Sequence, residues 1–329
     1  LNSIQKNVTG FNLKKIDEYF IVTIKGIQTK IIGNKLPNIE LKINQKNLLV
    51  LEKQRLIRQG ELKSFDNSDL KIMVKAKIGL KEQDDFKIRL RVKGKRKLHH
   101  YDKDYQSYKV DIRGENRFLG YEELNLQKPI TRNYTSEYLY HKLQKEIGNI
   151  ALDYSFVNLS TNGTSNGVYA IEESVAKELI ERHNKRFGPI INTEDSTGEI
   201  FPEHTFEARD FKYWTKNNPE LLKNVFSILN NFREEKNNYE NSFNWKKWAN
   251  FFAVNDLLGS YHGALSSSVN YYYNPTNGKI EPIGRDAHVG AGNFDNFIIL
   301  DFVTAEKVNC SWVCPNKEWF IRFFYKKDK

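Results

Sequence analysis

Phe86-Lys87-Ile88-Arg89-Leu90-Arg91-Val92 alternates apolar and basic positions, the period-two pattern of a strand with one buried face. β-Branched and aromatic runs predict further strands at Tyr19–Ile24, Leu41–Ile43, Tyr105–Ile112, Gly120–Leu126 and Tyr154–Leu159. Asn162-Gly163 accepts positive φ, so Asn166–Ile171 is expected to return as a hairpin ending in Glu172-Glu173. Helical spacing governs other stretches. Leu48–Arg58 stops at Gly60, and Thr135–Ile147 carries the stripe Leu139, Leu143 and Ile147 before Gly148. Ser174–Arg186 is a charged amphipathic helix closed by Gly188-Pro189. Pro219–Glu235 opens with proline in its first turn. Phe243–Leu258 offers Trp245, Trp248, Phe251 and Phe252 to a core. Residues 190–215 read as a polar connector, and past Phe302 only mixed aromatic and basic segments are legible.

The densest polar chemistry lies between Asn255 and Gly290. Asn270 opens an aromatic strand, Tyr271-Tyr272-Tyr273. Asn274-Pro275-Thr276-Asn277-Gly278 is a turn, because proline fixes φ and Asn-Gly accepts positive φ. Lys279–Ile283 returns, and Asp286 follows. The hairpin brings Asn270 and Asp286 to neighbouring strand ends. An amide oxygen and a carboxylate held there suit a hard cation such as Mg²⁺, which takes its other ligands from water and phosphate.

Composition narrows the classes of partner. The 329 residues are 39% hydrophobic and 13% aromatic, enough for a real core, so a disordered chain is excluded. Lys+Arg 51 against Asp+Glu 41 gives +10, a balance that suits anionic ligands. The lysines are scattered rather than blocked, which argues against a nucleic-acid tail. No apolar run reaches membrane-spanning length. The chain begins at Leu1 rather than Met, which leaves room for an upstream signal or anchor. Cys310 and Cys314 lack the His or Cys partners of a zinc site, so free thiols or a disulfide are expected.

Five blocks, in order, resemble the CotH family of spore-coat-type atypical protein kinases. They are Arg89-Leu90-Arg91-Val92-Lys93-Gly94; Ser107-Tyr108-Lys109-Val110; Gln127 to Tyr134 followed by Glu137; Asn162-Gly163 through Gly167–Glu173; and Asn270 through Pro275 with Glu281-Pro282-Ile283 to Asp286. The resemblance implies an α+β, kinase-like bilobal fold with a β-rich N-lobe and a mainly helical C-lobe. It divides the chain into an N-terminal extension (1–80), an N-lobe (81–180) and a C-lobe (181–329). It implies an ATP- and Mg²⁺-dependent kinase that phosphorylates Ser or Thr of a protein substrate. Other outcomes of the same fold are transfer of AMP, or a pseudokinase acting as a surface-binding module. The residues leave localisation open, and the resemblance alone favours the envelope, a place outside the cytoplasm or a spore coat.

By the same resemblance Asp286 and Asn270 hold the metal, Glu173 contacts nucleotide, and Lys109 or Lys128 binds phosphate with Glu137 as helix partner. Lys109 is preferred because a strand fixes its side chain better than a loop does. Phosphoryl transfer is mostly positioning and charge neutralisation, so such a set is the minimum it needs. The family places an Asp shortly before the metal Asn. Here Ala264-Leu265-Ser266-Ser267-Ser268-Val269 precedes Asn270, and the nearest ionisable groups are His262 and Asp256. His262 is the expected general base, since a neutral imidazole accepts a proton near pH 7, and Asp256 is its rival.

Overall fold

The computed structural model describes residues 36–62, 66–100, 106–193, 205–236, 239–287 and 317–324. The expected strand Tyr19–Ile24 and the pair Cys310 and Cys314 lie outside the described residues.

The first part is a closed barrel. Its strands are β1 (Asn38–Lys42), β2 (Val74–Leu80), β3 (Phe86–Val92), β4 (Tyr108–Ile112), β5 (Glu123–Gln127), β6 (Tyr154–Thr161) and β7 (Thr164–Glu173). They close in the order β1-β2-β3-β4-β5-β7-β6, with β1 parallel to β6 and every other pair antiparallel. Closure removes the unpaired edges an open sheet would present. Alternation decides which residues face inward. Leu90, Val110 and Leu124 share one rung and are fully buried. The intervening Arg89, Arg91, Lys109, Asp111 and Asn125 point outward. β1 and β2 come from residues 1–80 and are staves of this barrel. Between them runs α1 (Gln45–Gln59), capped by the Asn44 side chain and stopped by Gly60 in the left-handed region. Gln54 on α1 is buried and accepts a hydrogen bond from the Val92 N–H at 3.0 Å, tying the helix to β3.

α2 (Ser136–Glu146) sits between β5 and β6 in sequence. Its Tyr140 belongs to a second, aromatic core, and Gln144 Nε2 donates to the Phe251 carbonyl at 3.2 Å. The helix thus packs on the aromatic core, while its His141 stacks on Tyr154 of β6.

The second part holds α3 (Lys177–Arg182), β8 (Ile190–Thr193), β9 (Phe206–Ala208), α4 (Phe211–Asn217), α5 (Pro219–Glu234), α6 (Trp245–Leu258), β10 (Val269–Asn274), β11 (Lys279–Gly284) and α7 (Lys317–Phe324). Its sheet runs β11-β10-β8-β9. Trp214, Phe232, Phe243, Trp248, Phe251, Phe252, Tyr271 and Trp319 fill the core. Gly284 ends β11 where a Cβ would overlap the Tyr140 hydroxyl and crowd the Phe251 ring. Only glycine lets α2 and α6 meet the hairpin so closely.

Seven α-helices and two sheets among the described residues make a mixed α and β fold. Three expectations change. The helix expected over Ser174–Arg186 is only α3, because Ala176 is extended and Asn184 takes positive φ. The polar connector 190–215 contains β8, β9 and α4. β8 pairs with β10 by Ile191↔Tyr271, a long-range contact that local periodicity cannot reveal. The strand expected from Gly120 begins at Glu123, because Leu119 and Gly120 both take positive φ in a turn closed by Phe118 and Tyr121.

Candidate active site

β10 and β11 pair in the register Asn270↔Ile283, so Asn270 lies opposite the residue three before Asp286. This matches the strand-end juxtaposition expected from the hairpin. Asp286 takes φ of +55°, a region that Asp tolerates better than most residues. Asn270 is buried, and its Nδ2 has no hydrogen-bond partner among the described residues.

Asp286 is not a plain surface carboxylate. Its Oδ1 accepts from Arg132 Nη2. Arg132 is almost fully buried, and its Nε lies 3.8 Å from Glu137 Oε2. Glu137 Oε1 lies 3.3 Å from His141 Nε2, one turn along α2. Burial alone would push the Asp286 carboxyl upward. The surrounding Arg132, Arg285, Lys93 and His262 outweigh it and hold the group well below the usual carboxylate range. Asp286 is therefore an anion, and its side chain is 27% exposed.

Arg132 ends a short 3₁₀ turn, Pro129–Arg132, that starts directly after β5 and Lys128. Asn133 and Tyr134, which follow, both have positive φ, +49° and +60°. Consecutive left-handed residues that include a tyrosine store strain, and such strain clusters at functional sites.

Lys93 completes the group. It extends the outward face of β3, and its Nζ lies 3.4 Å from Glu172 Oε1. Burial lowers the pKa of Lys93, while Glu172 and Asp286 oppose that shift.

The structure sorts the expected residues. Glu137 and Asp286 come together through Arg132 at the junction of barrel and helical body, and Asn270 lies at the neighbouring strand end. Lys109 does not join them. It points outward from β4, but its ion partners are Glu123 at 3.2 Å and Asp111 at 4.0 Å. Lys128 has the parity of Leu124 and Leu126, the core residues of β5. It is buried at the barrel end, where its charge acts on His100. Neither lysine pairs with Glu137; Arg132 does. Glu173 shares the inward face of Ile171, so it points away from Lys93. It accepts from the Asp153 N–H at 2.9 Å and pairs with Arg182 at 2.6 Å. Its neighbour Glu172 is the carboxylate directed at Lys93.

His262 does reach Asp286. Its Nδ1 lies 3.0 Å from the Asp286 carbonyl oxygen, which can only accept, so Nδ1 carries the proton. Ser268 Oγ lies 3.4 Å from the same nitrogen. Burial lowers the His262 pKa although Asp286 opposes it, so the ring is neutral at pH 7. Proton acceptance by this residue would therefore use Nε2. Asp256 sits in the last turn of α6, where its carbonyl accepts from the Gly259 N–H at 3.1 Å. The neighbouring Asn255 is buried, and its Nδ2 donates to the Phe251 carbonyl at 2.8 Å. A Cβ on Gly263 would lie 2.7 Å from Asn255 Oδ1 and 2.9 Å from Ala287 Cα. Lys93, Arg132 and Glu172 were thus missed as site residues, although each lies inside a stretch already singled out. The signal for Glu172 was strand parity relative to Ile171.

No three His, Cys, Asp or Glu side chains gather as a metal cluster among the described residues. A Mg²⁺ ion held largely by phosphate and water needs no such cluster. The ionised, partly open Asp286 and the buried Asn270 amide at the next strand end fit that kind of ion.

Fold and site define a mixed α and β protein with a charged, largely buried cluster between a barrel and a helical body. The family model described as CotH kinase protein matches residues 90–316, well over half of the chain. The chain belongs to the CotH kinase family. No curated protein matches it. No helix among the described residues is long and apolar enough to cross a membrane.

Proposed function

We propose that the protein is an ATP- and Mg²⁺-dependent kinase that transfers the γ-phosphate to Ser or Thr of a protein substrate. The observation that carries this reading is the chain Glu137–Arg132–Asp286, which joins α2 to the end of the β10–β11 hairpin. Kinase chemistry requires a cation paired with a helix glutamate, and beside it an aspartate that holds metal. Here an arginine takes the cation's place. Its fork can face two carboxylates at once, which a lysine's point charge does less well. In this reading the fold is kinase-like and bilobal, with the barrel and α2 as the small lobe.

The roles follow from position. Asp286 and the amide of Asn270 hold Mg²⁺, which neutralises charge on the phosphates when bound. Lys93 and Arg132 attract and orient the phosphates. Glu172 fixes Lys93, and Glu137 with His141 fixes Arg132. His262 orients the attacking hydroxyl and takes its proton at Nε2. In the His262→Ala variant turnover should fall about 10²–10⁴-fold with ATP binding unchanged. Full activity in that variant would move the role to another group.

Incubation with γ-labelled and α-labelled ATP in Mg²⁺ tests the reading. Transfer of the γ label to protein supports it. Transfer of the α label would replace it with AMP transfer, and no transfer would leave a binding module.

A further inference from the structure

α2 lies against the outer face of the barrel, and the layer between them is polar. Strand register defines that face. Tyr154 of β6 stands opposite Glu172 of β7. In the next outward row Phe156 stands opposite Ala170, with Gln127 of β5 beyond it. The alternate residues Val157, Ile171 and Leu126 fill the barrel interior. α2 covers the β6 end of this face. Its His141 ring stacks on Tyr154 at a centroid distance of 6.1 Å, and its Tyr138 ring meets Phe156 at 6.0 Å.

A helix on a sheet ordinarily buries apolar side chains between them. Here Gln127, Glu137, His141 and Tyr154 are between 0% and 7% exposed. Glu137 lies 3.3 Å from His141 and 3.8 Å from Arg132, yet its two oxygens have no hydrogen-bond partner among the described residues. The same holds for both ring nitrogens of His141, the side-chain amide of Gln127 and the hydroxyl of Tyr154. Buried polar groups cost free energy unless something pairs with them, and internal water commonly does so. Burial, with the charges of Glu137 and Glu172, holds the Tyr154 phenol well above its ordinary pKa, although Arg132 opposes the shift. The phenol therefore keeps its proton and can both donate and accept.

We propose that the layer between α2 and the barrel holds bound water joining the Tyr154 hydroxyl, the His141 ring and the Glu137 carboxylate, and that Tyr154 acts through it as a positioning residue for the Glu137–Arg132 pair. The effect on turnover rests on the kinase reading; the water and the pairing do not. The chemistry of the three groups suits water. A carboxylate only accepts, an imidazole offers at least one donor, and the phenol does both. Water can serve all three, with the roughly three hydrogen bonds typical of an internal molecule. The ring stack fixes His141 and Tyr154 against each other, so their polar edges are set before water binds. Glu137 and His141 stand one turn apart on α2, so what holds that turn also holds the carboxylate that faces Arg132. Tyr154 belongs to a barrel strand, and the bridge therefore sets the helix relative to the sheet.

Crystal structures of the wild type and of Tyr154→Phe, with steady-state kinetics on ATP, test this. Phenylalanine keeps the stack on His141 and removes only the hydroxyl, and circular dichroism checks that the variant is folded. The wild type should show ordered water within hydrogen-bond distance of the Tyr154 hydroxyl and the Glu137 carboxylate. Tyr154→Phe should lose that water and show a longer Glu137–Arg132 separation. Its kcat should fall about 10- to 100-fold with KM for ATP unchanged, the loss expected when a group is displaced from its working position. A dry layer in the wild type, or the same water and the same Glu137–Arg132 separation in Tyr154→Phe, overturns the proposal. If water and separation change as expected while neither protein transfers label from ATP, the proposal stands and the kinase reading falls. If both proteins turn over ATP equally, the kinase reading stands and the positioning role falls.

Discussion

The barrel and the helical body bury their residues in different ways. The barrel interior is mostly aliphatic: Ile39, Leu41, Ile78, Ile88, Leu90, Val110, Leu124 and Leu126 stack rung on rung. The body is aromatic. Trp248 alone packs against Phe251, Phe252, Tyr271, Trp319, Phe243 and Phe323. Rungs of branched aliphatics are positioned by strand register, and each contributes a similar small share. Large rings concentrate burial in a few side chains, and their edge-to-face contacts add to area burial. The site occupies the seam, where outward residues of the barrel meet the open end of an aromatic-backed hairpin. α2 serves both sides, with Tyr140 in the aromatic core and Glu137 in the charged cluster.

The sharpest way to break this contrast is Trp248→Ala. Loss of a fully buried ring from the body should cost about 3–5 kcal/mol in urea denaturation. A cost below about 1 kcal/mol would mean that the aromatic core is not concentrated on this residue.

Away from the seam, stability responds to pH through Glu173 at the end of β7. Burial pushes this carboxyl up to about 7, against hydrogen bonding from the Asp153 N–H and the charge of Arg182. An acid whose folded pKa lies above its unfolded value holds its proton more tightly in the native state. Its stabilisation is present at low pH and is lost as pH rises from about 4.5 through about 7, amounting to as much as about 3 kcal/mol. Glu173→Gln, which mimics the protonated form, should flatten the stability profile between pH 5 and pH 8. Parallel profiles for the two proteins would show that Glu173 is not the source.

The smallest effect belongs to the barrel. Ile88→Val removes one methylene from a rung and should cost about 0.5–1.5 kcal/mol. A loss as large as that of Trp248→Ala would erase the contrast between the two cores.

The same contrast explains what could be read from the sequence. β3 was legible because Ile88, Leu90 and Val92 alternate with Lys87, Arg89 and Arg91, and one buried face is all that period two requires. β8 was not, because Ile190 and Ile191 are buried together by β10 and by helices distant in sequence. Asn270 and Asp286 were legible because one hairpin joins them. Lys93 and Arg132 were not, because their partners Glu172 and Asp286 lie 79 and 154 residues away. Lys109 was preferred for being on a strand, and it does face outward. What the sequence hides is that Glu123, anchored in turn by Arg209 at 2.9 Å, engages it away from Glu137. Glu173 could have been separated from Glu172 by parity, once Ile171 is assigned to the barrel interior.

The role proposed for Asp286 at the seam is to bind metal for a nucleotide. It is tested most directly by ATP titration with and without Mg²⁺, in the wild type and in Asp286→Asn. Asparagine keeps an acceptor for Arg132, and circular dichroism at matched temperature confirms that the variant is folded. The wild type should bind ATP more tightly with Mg²⁺ than without, and Asp286→Asn should lose that difference. Equal Mg²⁺-dependent affinity in the two proteins would contradict the account.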